Sequence, residues 1–141
     1  MTLADIKSDF ALLDDWEDRY RYIIELGRAL PEMPQALKTE ATKVRGCASQ
    51  VWLHTKVHHA GPGGPVSLTF QGDSDALIVR GLVAILIAIY DGRPASEIAA
   101  RDAAADFASI GIQDHLTPQR SNGLASMVER VRADARAALQ S

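Results

Sequence analysis

Residues 44–58 read VRGCASQVWLHTKVH, and the pattern of apolar and polar side chains changes from irregular to alternating within this stretch. In its second half apolar and polar side chains alternate, with Val51, Leu53 and Val57 on one side and Trp52 on the other. A period of two is typical of a β-strand with one buried face. The stretch therefore predicts a half-buried strand that follows a less regular loop.

A second strand is predicted after a short break. Residues 60–65 read AGPGGP, which cannot hold regular structure, and Val66, Leu68 and Phe70 then alternate with polar residues. Two strands joined in this way are typical of an antiparallel hairpin.

The chain is predicted to leave the hairpin through a tight turn at residues 72–74, Gly-Asp-Ser. Asp73 or Ser74 is well suited to cap a helix that begins near Asp75. Residues 76–90 are apolar on nearly every side, so this helix is expected to be the buried centre of the fold.

Helical spacing of apolar side chains predicts the other elements. They are a peripheral helix over residues 3–13, a helix from about residue 15 to the prolines at 31 and 34, irregular structure or a brief helix over 35–44, short helices over 95–108, a helix start at Thr117 and a final amphipathic helix over 124–139. We expect one α+β domain over residues 1–141, with helices packed against a small antiparallel sheet. A third strand is expected, because an isolated hairpin is only marginally stable, but no segment is assigned to it.

The composition disfavours several classes of function. The chain has 141 residues, of which 47% are hydrophobic, and its 15 basic and 18 acidic side chains give a net charge of −3. This charge disfavours nucleic-acid and membrane-surface binding. The longest apolar run, residues 82–90, is well short of the roughly 20 residues that span a bilayer, and residues 1–15 lack the pattern of a secretory signal. Because a lone cysteine suits a reducing compartment, we expect a cytoplasmic protein.

Cys47 is the only cysteine in the chain. A single thiol cannot close an internal disulfide, so any chemistry that it performs needs a group on another molecule. Gly46 and Ala48 leave room for a partner to approach, and the charge of Arg45 would favour the nucleophilic thiolate. Composition alone favours the alternative, because a free cysteine is most often a small buried side chain that has no chemistry.

The histidines offer two further hypotheses. A metal site is disfavoured, because the adjacent His58 and His59 would point to opposite faces of a strand. A Cys-His hydrolase or protease would pair Cys47 with His54 or His115, but no third member and no oxyanion hole is recognisable. The broader possibility is an independent thiol hydrolase or peroxidase that uses Cys47. This enzyme class and a plain binding module with a structural cysteine are kept as alternatives.

Three blocks of sequence carry a resemblance to a known family. They are GCASQVW at residues 46–52, LTFQGDSDALIVRGL at 68–82 and HLTPQRSNGL at 115–124. In order and spacing they resemble the SufE family of sulfur-acceptor proteins, and the likeness extends from near Trp16 to the last helix. The resemblance implies a SufE/IscU-like α+β fold. It also implies that Cys47 takes a sulfane sulfur from a cysteine desulfurase and passes it, as a persulfide, to an iron–sulfur cluster assembly scaffold.

The resemblance also implies partners and supporting residues. The partners are a SufS- or CsdA-like desulfurase, which carries the pyridoxal phosphate cofactor, and a SufBCD-like scaffold complex. The chain itself is expected to need no cofactor and no metal, and to activate the desulfurase instead of acting as an independent enzyme; a homodimer is left open. Arg120 is implied to hold the cysteine loop or its persulfide anion, and His115, Gln50 and Asp73 are implied to support that loop.

The thiol is expected to rest in shelter, because a persulfide is easily lost to other thiols and oxidants. Gly46 and Ala48 would form a hinge of small residues, and Val44 and Val51 would offer an apolar wall for the sulfur. Burial would raise the pKa of the thiol and oppose the effect of Arg45.

Overall fold

A computed structural model describes residues 2–112 and 116–140 of the chain. Within these residues six helices and one β-hairpin follow one another, and the predicted α+β architecture is confirmed. The elements are α1 (Leu3–Ala11), α2 (Trp16–Ala29), a 3-10 turn (Gln35–Leu37), β1 (Val51–His59), β2 (Val66–Ser74), α3 (Leu77–Tyr90), α4 (Ala95–Ala100), α5 (Ala103–Ile110) and α6 (Pro118–Gln140).

The N-terminal helix α1 is better anchored than the sequence predicted. Thr2 and Asp5 form a reciprocal capping box, which supplies hydrogen-bond partners to two otherwise free backbone N–H groups. Ile6 and Phe10 are 1% and 2% exposed and belong to the main core. The expectation of a peripheral helix was therefore wrong.

Helix α3 is the buried centre of the fold, as its composition predicted. It crosses α2 at two glycines: a Cβ added at Gly81 would run into the Ile23 carbonyl oxygen, and one at Gly27 would lie 2.7 Å from the Gly81 nitrogen. It meets the sheet at Gly72, where a Cβ would lie 2.6 Å from a methyl carbon of Val83. The small residues thus allow two close approaches that larger side chains would block.

The hairpin is longer at its exit than the sequence predicted. Its register runs from Val51 opposite Ser74 to His59 opposite Val66, so residues 72–74 are paired strand and not a turn. Helix α3 begins after Ala76 without a side-chain cap from Asp73. Asp73 does not cap the helix because its carboxylate has buried cationic partners instead, which are described below. Ser74 accepts a hydrogen bond from the Ala76 N–H at 3.3 Å, just before the helix, and does not cap it either.

The described residues contain a two-stranded sheet, and the expected third strand is replaced by a short bridge. The Val44 N–H donates to the Val51 carbonyl and the Leu53 N–H donates to the Thr42 carbonyl, both at 2.8 Å. Residues 42–44 therefore cover the first part of the outer edge of β1, immediately before the cysteine loop.

Helix α6 begins as predicted, with the Thr117 hydroxyl accepting a hydrogen bond from the Arg120 N–H at 3.2 Å. Its buried stripe runs through Leu124 and Met127 to Ala138. Leu139, which helical spacing placed on this stripe, is 49% exposed, so that part of the prediction is wrong. Across residues 2–112 and 116–140 we find no helix whose length and hydropathy would allow it to cross a membrane.

Candidate functional site

Cys47 lies half-buried at a pocket of about 240 Å³ between its own loop, α3 and α6. The described lining is Cys47, Ala48, Ser49, Val79, Leu82, Thr117, Gln119, Arg120, Gly123 and Met127. The thiol donates a weak hydrogen bond to the Gly123 carbonyl oxygen, with the sulfur 3.5 Å away. The loop thus rests with its sulfur against α6.

The loop can lie this close to α6 because of Gly46. This residue has a φ of +88°, a left-handed conformation that side chains other than glycine rarely adopt. A Cβ added there would also lie 2.5 Å from the hydroxyl oxygen of Ser126 on α6. Gly46 therefore fixes the resting position of Cys47 as well as providing the small neighbour that the sequence predicted.

The thiol is sheltered, but by different residues from those expected. Val79 and Leu82 of α3 and Met127 of α6 line its pocket, whereas Val44 and Val51 do not. Burial raises the pKa of the Cys47 thiol above its usual range. The expected shelter therefore exists in the resting fold, with helices instead of the strand as its wall.

The predicted influence of Arg45 on the thiol is not what the structure shows. Its guanidinium is largely exposed and pairs with the Glu40 carboxylate at 2.9 Å. Burial, and not the Arg45 charge, raises the Cys47 pKa. Adjacency in sequence was misleading here, because the side chain turns toward the preceding segment.

Arg120 and Cys47 line the same pocket, as the sequence motif suggested. Arg120 is half-buried in the first turn of α6. Among the described residues its guanidinium makes neither an ion pair nor a hydrogen bond. A cation in this place, at the positive end of a helix, would attract an anion in the pocket.

Gln50 contacts the cysteine loop through its backbone and not through its side chain. Its N–H donates to the Asp75 carboxylate at 3.0 Å, and its carbonyl accepts from the Asp75 N–H at 3.2 Å. These two bonds tie the end of the loop to the segment that leads into α3. Gln50 is exposed and does not line the Cys47 pocket.

Asp73 is away from the thiol, at the centre of a buried ion-pair cluster. Its carboxylate is 4% exposed and lies 2.9 Å from the Lys38 ammonium and 3.3 Å from the Arg80 guanidinium. Lys38 also sits 5.1 Å from the centre of the Trp52 ring. Asp73 therefore joins the segment before the cysteine loop to the sheet and α3.

His115, the last of the predicted supporting residues, lies outside the described residues. The pairing of Cys47 with His54 is wrong, because His54 lines a separate depression beside Thr55 and Asp134. The described lining of the Cys47 pocket contains no histidine. In the described part of the chain no group of three His, Cys, Asp or Glu residues is placed to hold a metal ion.

Sequence reasoning missed the residue that holds the start of the loop. Arg130 of α6 donates to the carbonyls of Ala41 and Lys43, and its Nε lies 3.3 Å from the Asp134 carboxylate. An arginine four residues before an aspartate is a recognisable helical pair. Its backbone acceptors, nearly 90 positions earlier in the chain, leave no signal in the sequence.

Comparison with known proteins shows the family to which the chain belongs. A model of the SufE family, described as the Fe-S metabolism associated domain, matches residues 4–135. The chain belongs to the SufE family. The resemblance of its three sequence blocks is thereby confirmed, and both Cys47 and Arg120 fall within the matched SufE region.

Individual relatives agree with this assignment to SufE. The chain is 59% identical over 136 residues to an uncharacterised SufE-like protein of Rhizobium etli, covering 96% of the chain and 90% of that protein. It is 38% identical over 131 residues to the sulfur acceptor protein CsdE of Escherichia coli, covering 93% and 86%. A hypothetical protein from Thermus thermophilus has the same fold, with a TM-score of 0.71 over the full length of both chains at 24% identity.

Proposed function

We propose that this protein is a sulfur acceptor and carrier that receives sulfur on Cys47 from a cysteine desulfurase. The observation that carries the proposal is the position of the only cysteine in this SufE-family chain. It lies on a loop of small residues, at a pocket that also contains the cation Arg120. A relative of 38% identity is named as a sulfur acceptor.

The transfer step is an exchange between two sulfur atoms. Cys47 loses its proton to solvent, and its thiolate attacks the terminal sulfur of a persulfide on the desulfurase cysteine. A new S–S bond forms on Cys47, the S–S bond of the desulfurase breaks, and the desulfurase cysteine leaves as a thiolate. The step is redox-neutral, and it needs no cofactor in this chain; pyridoxal phosphate belongs to the desulfurase.

The pocket suits the product of this step. A persulfide anion on Cys47 would lie beside the apolar side chains of Val79, Leu82 and Met127, with the Arg120 guanidinium as a counter-charge. From there the sulfur would pass to an iron–sulfur assembly scaffold in the cytoplasm. Removal of sulfur would also regenerate the desulfurase, so the protein would raise the turnover of that enzyme.

The test compares the wild type with Cys47→Ser after incubation with a cysteine desulfurase and free cysteine. A hydroxyl is nearly the same size as a thiol but a far weaker nucleophile near neutral pH, so the variant should fold and accept no sulfur. Intact mass spectrometry should find one additional sulfur atom on the wild type alone. A variant that still gains a sulfur atom, or a wild type that gains none, would rule out the proposal.

A further inference from the structure

The outer edge of β1 is only partly covered. In an antiparallel strand the backbone groups of successive residues face opposite edges. Val51 and Leu53 turn theirs outward, where residues 42–44 bind them. Thr55, Val57 and His59 face the same edge by this alternation, and within residues 2–112 and 116–140 their backbone groups have no partner there.

The opposite edge of the hairpin is protected. The Leu68 N–H donates to the Arg93 carbonyl at 3.2 Å, and the Leu68 carbonyl accepts from the Gly92 N–H at 2.8 Å. The Phe70 N–H donates to the Asp91 carboxylate at 2.7 Å. Since free strand edges are usually covered or shortened in proteins, the open part of β1 is an exception in this fold.

A groove runs beside this open edge. It has a volume of about 430 Å³ and lies between β1 and the C-terminal half of α6. Leu53, Val57 and Ala137 give it an apolar floor, and Val57 is 41% exposed. The groove therefore offers side-chain contacts beside the free backbone groups, the combination by which sheet edges bind an added strand.

The charge of the hairpin indicates which kind of segment would bind. Residues 50–72 contain one lysine and three histidines and neither aspartate nor glutamate, although the whole chain carries a net charge of −3. A second copy paired antiparallel through Val57 would bring Lys56 beside His58 of the other chain, which brings basic groups together. An acidic strand would instead meet Lys56. The groove's own carboxylate, Asp134, is already paired with Arg130 and bonded to the Thr55 hydroxyl.

We propose that the open edge formed by Thr55, Val57 and His59 binds an extended acidic segment of a partner protein as a third strand. The added strand would continue the line that residues 42–44 begin along β1. This contact is separate from the sulfur chemistry at Cys47, so the proposal does not depend on the proposed function.

The experiment uses synthetic peptides and amide exchange of the full-length protein. The probes are a blocked seven-residue peptide of alternating glutamate and valine, a matched peptide with lysine in place of glutamate, and the acidic peptide with proline at its central valine. At saturation the acidic peptide should slow exchange of the Thr55, Val57 and His59 amides roughly tenfold or more. The lysine and proline peptides should have little effect.

Two variants of the protein test separately whether binding depends on the free backbone groups of the edge and on its positive charge. Val57→Pro removes an outward N–H that makes no bond to β2, so the hairpin should form while the peptide no longer protects Thr55 and His59. Lys56→Glu leaves the edge free and should weaken the acidic peptide several-fold. Lys7→Glu, an exposed charge reversal on α1, is the matched control and should bind like the wild type.

Four results would overturn the proposal. The first is unchanged amide exchange with saturating acidic peptide, and the second is equal protection by the lysine peptide. The third is a wild-type dimer in sedimentation that Val57→Pro abolishes, because the occupant of the edge would then be a second copy. The fourth is undiminished binding of the acidic peptide by Lys56→Glu, which also decides the question if Val57→Pro fails to fold.

Discussion

The Cys47 thiol and the Gly123 carbonyl form a hydrogen bond in which the sulfur is the donor, at 3.5 Å. A carbonyl oxygen accepts from the protonated thiol and repels the thiolate, so this contact and burial both favour the unreactive form. Outward movement of the loop would remove both effects at once. The resting position therefore quiets the nucleophile, and docking of a partner would release it.

The first prediction concerns the pH dependence of Cys47. Because burial raises its pKa, the folded state holds the thiol proton more tightly than the unfolded state does. This contribution to stability is complete below the unfolded thiol pKa of about 8.5 and is lost as the pH rises through the folded value. Relative to Cys47→Ser, the wild type should lose free energy of unfolding above about pH 8.5, as measured by urea denaturation across this range.

Alkylation gives a second measure of the same effect. The alkylation rate of Cys47 rises with pH as the thiol ionises. It should reach half of its maximum at a higher pH than the alkylation rate of the same cysteine in an unfolded peptide of residues 44–53. At neutral pH the folded protein should react more slowly, and a desulfurase that lacks its own active-site cysteine should accelerate the reaction. A midpoint below that of the peptide would contradict a sheltered thiol.

Gly123→Ala should stabilise the protein and slow the reaction of Cys47. A Cβ added at Gly123 would lie 3.5 Å from the sulfur, an ordinary contact, and alanine is favoured over glycine in a helix by about 1 kcal/mol. One additional buried methyl group, worth about 0.8 kcal/mol, would hold the loop in place and slow alkylation about fourfold. Ala133→Gly, exposed on the same helix, should lower stability without changing the alkylation rate. An unchanged rate in Gly123→Ala would show that the loop does not depend on this contact.

Arg120→Ala should weaken sulfur transfer without abolishing it. The loss of one charge contact to a partly exposed anion costs on the order of 1 to 3 kcal/mol, whereas the sulfur nucleophile stays intact. Desulfurase turnover should be measured against the concentration of each variant. Arg136→Ala, which removes another cation of α6 that pairs with Glu129, is the control and should match the wild type. Coincident curves for Arg120→Ala and the wild type would limit Arg120 to a role in folding.

Asp73→Asn should affect stability more than chemistry. The change leaves the Lys38 and Arg80 charges without their buried counter-ion, which costs about 3 kcal/mol, since both side chains retain some exposure to water. Glu40→Gln, which breaks the exposed pair with Arg45, should cost less than about 1 kcal/mol. Urea denaturation gives both values. Sulfur acceptance per folded molecule should be unchanged, and its loss would place Asp73 in the site itself.

The parts of the fold that depend on neighbouring residues could be predicted from the sequence. Alternation after Gln50 predicted β1, and the nearly continuous apolar run predicted α3 within two residues of its ends. The helix start at Thr117 was also predictable, because capping signals are local. The same holds for the 3-10 turn at Gln35–Leu37, which lies in the segment expected to be irregular or briefly helical. The motif likewise led to Arg120, which lines the pocket of Cys47.

Long-range contacts could not be predicted in the same way. Local signals predict a helix cap at Asp73, because its ion-pair partners Lys38 and Arg80 lie outside the few residues over which a capping pattern is recognised. The expected third strand could not be assigned to a segment, because the edge of β1 is met by only the few residues around Lys43. Nothing in the sequence indicates that Gly123 faces the thiol, because a glycine in a helical pattern carries no side chain whose direction could be followed.

The two anchors of the cysteine loop limit how far the sulfur can travel. The bridge at Val44 and the backbone bonds at Gln50 hold the ends, and Cys47 lies three residues from each of them. At about 3.5 Å per extended residue, its backbone can project no more than about 10 Å beyond the anchors. Cys47 could not reach a donor cysteine that lies deeper in its enzyme than this distance plus the length of the Cys47 side chain. The depth of the cleft that holds the donor cysteine therefore limits which desulfurases this chain could serve.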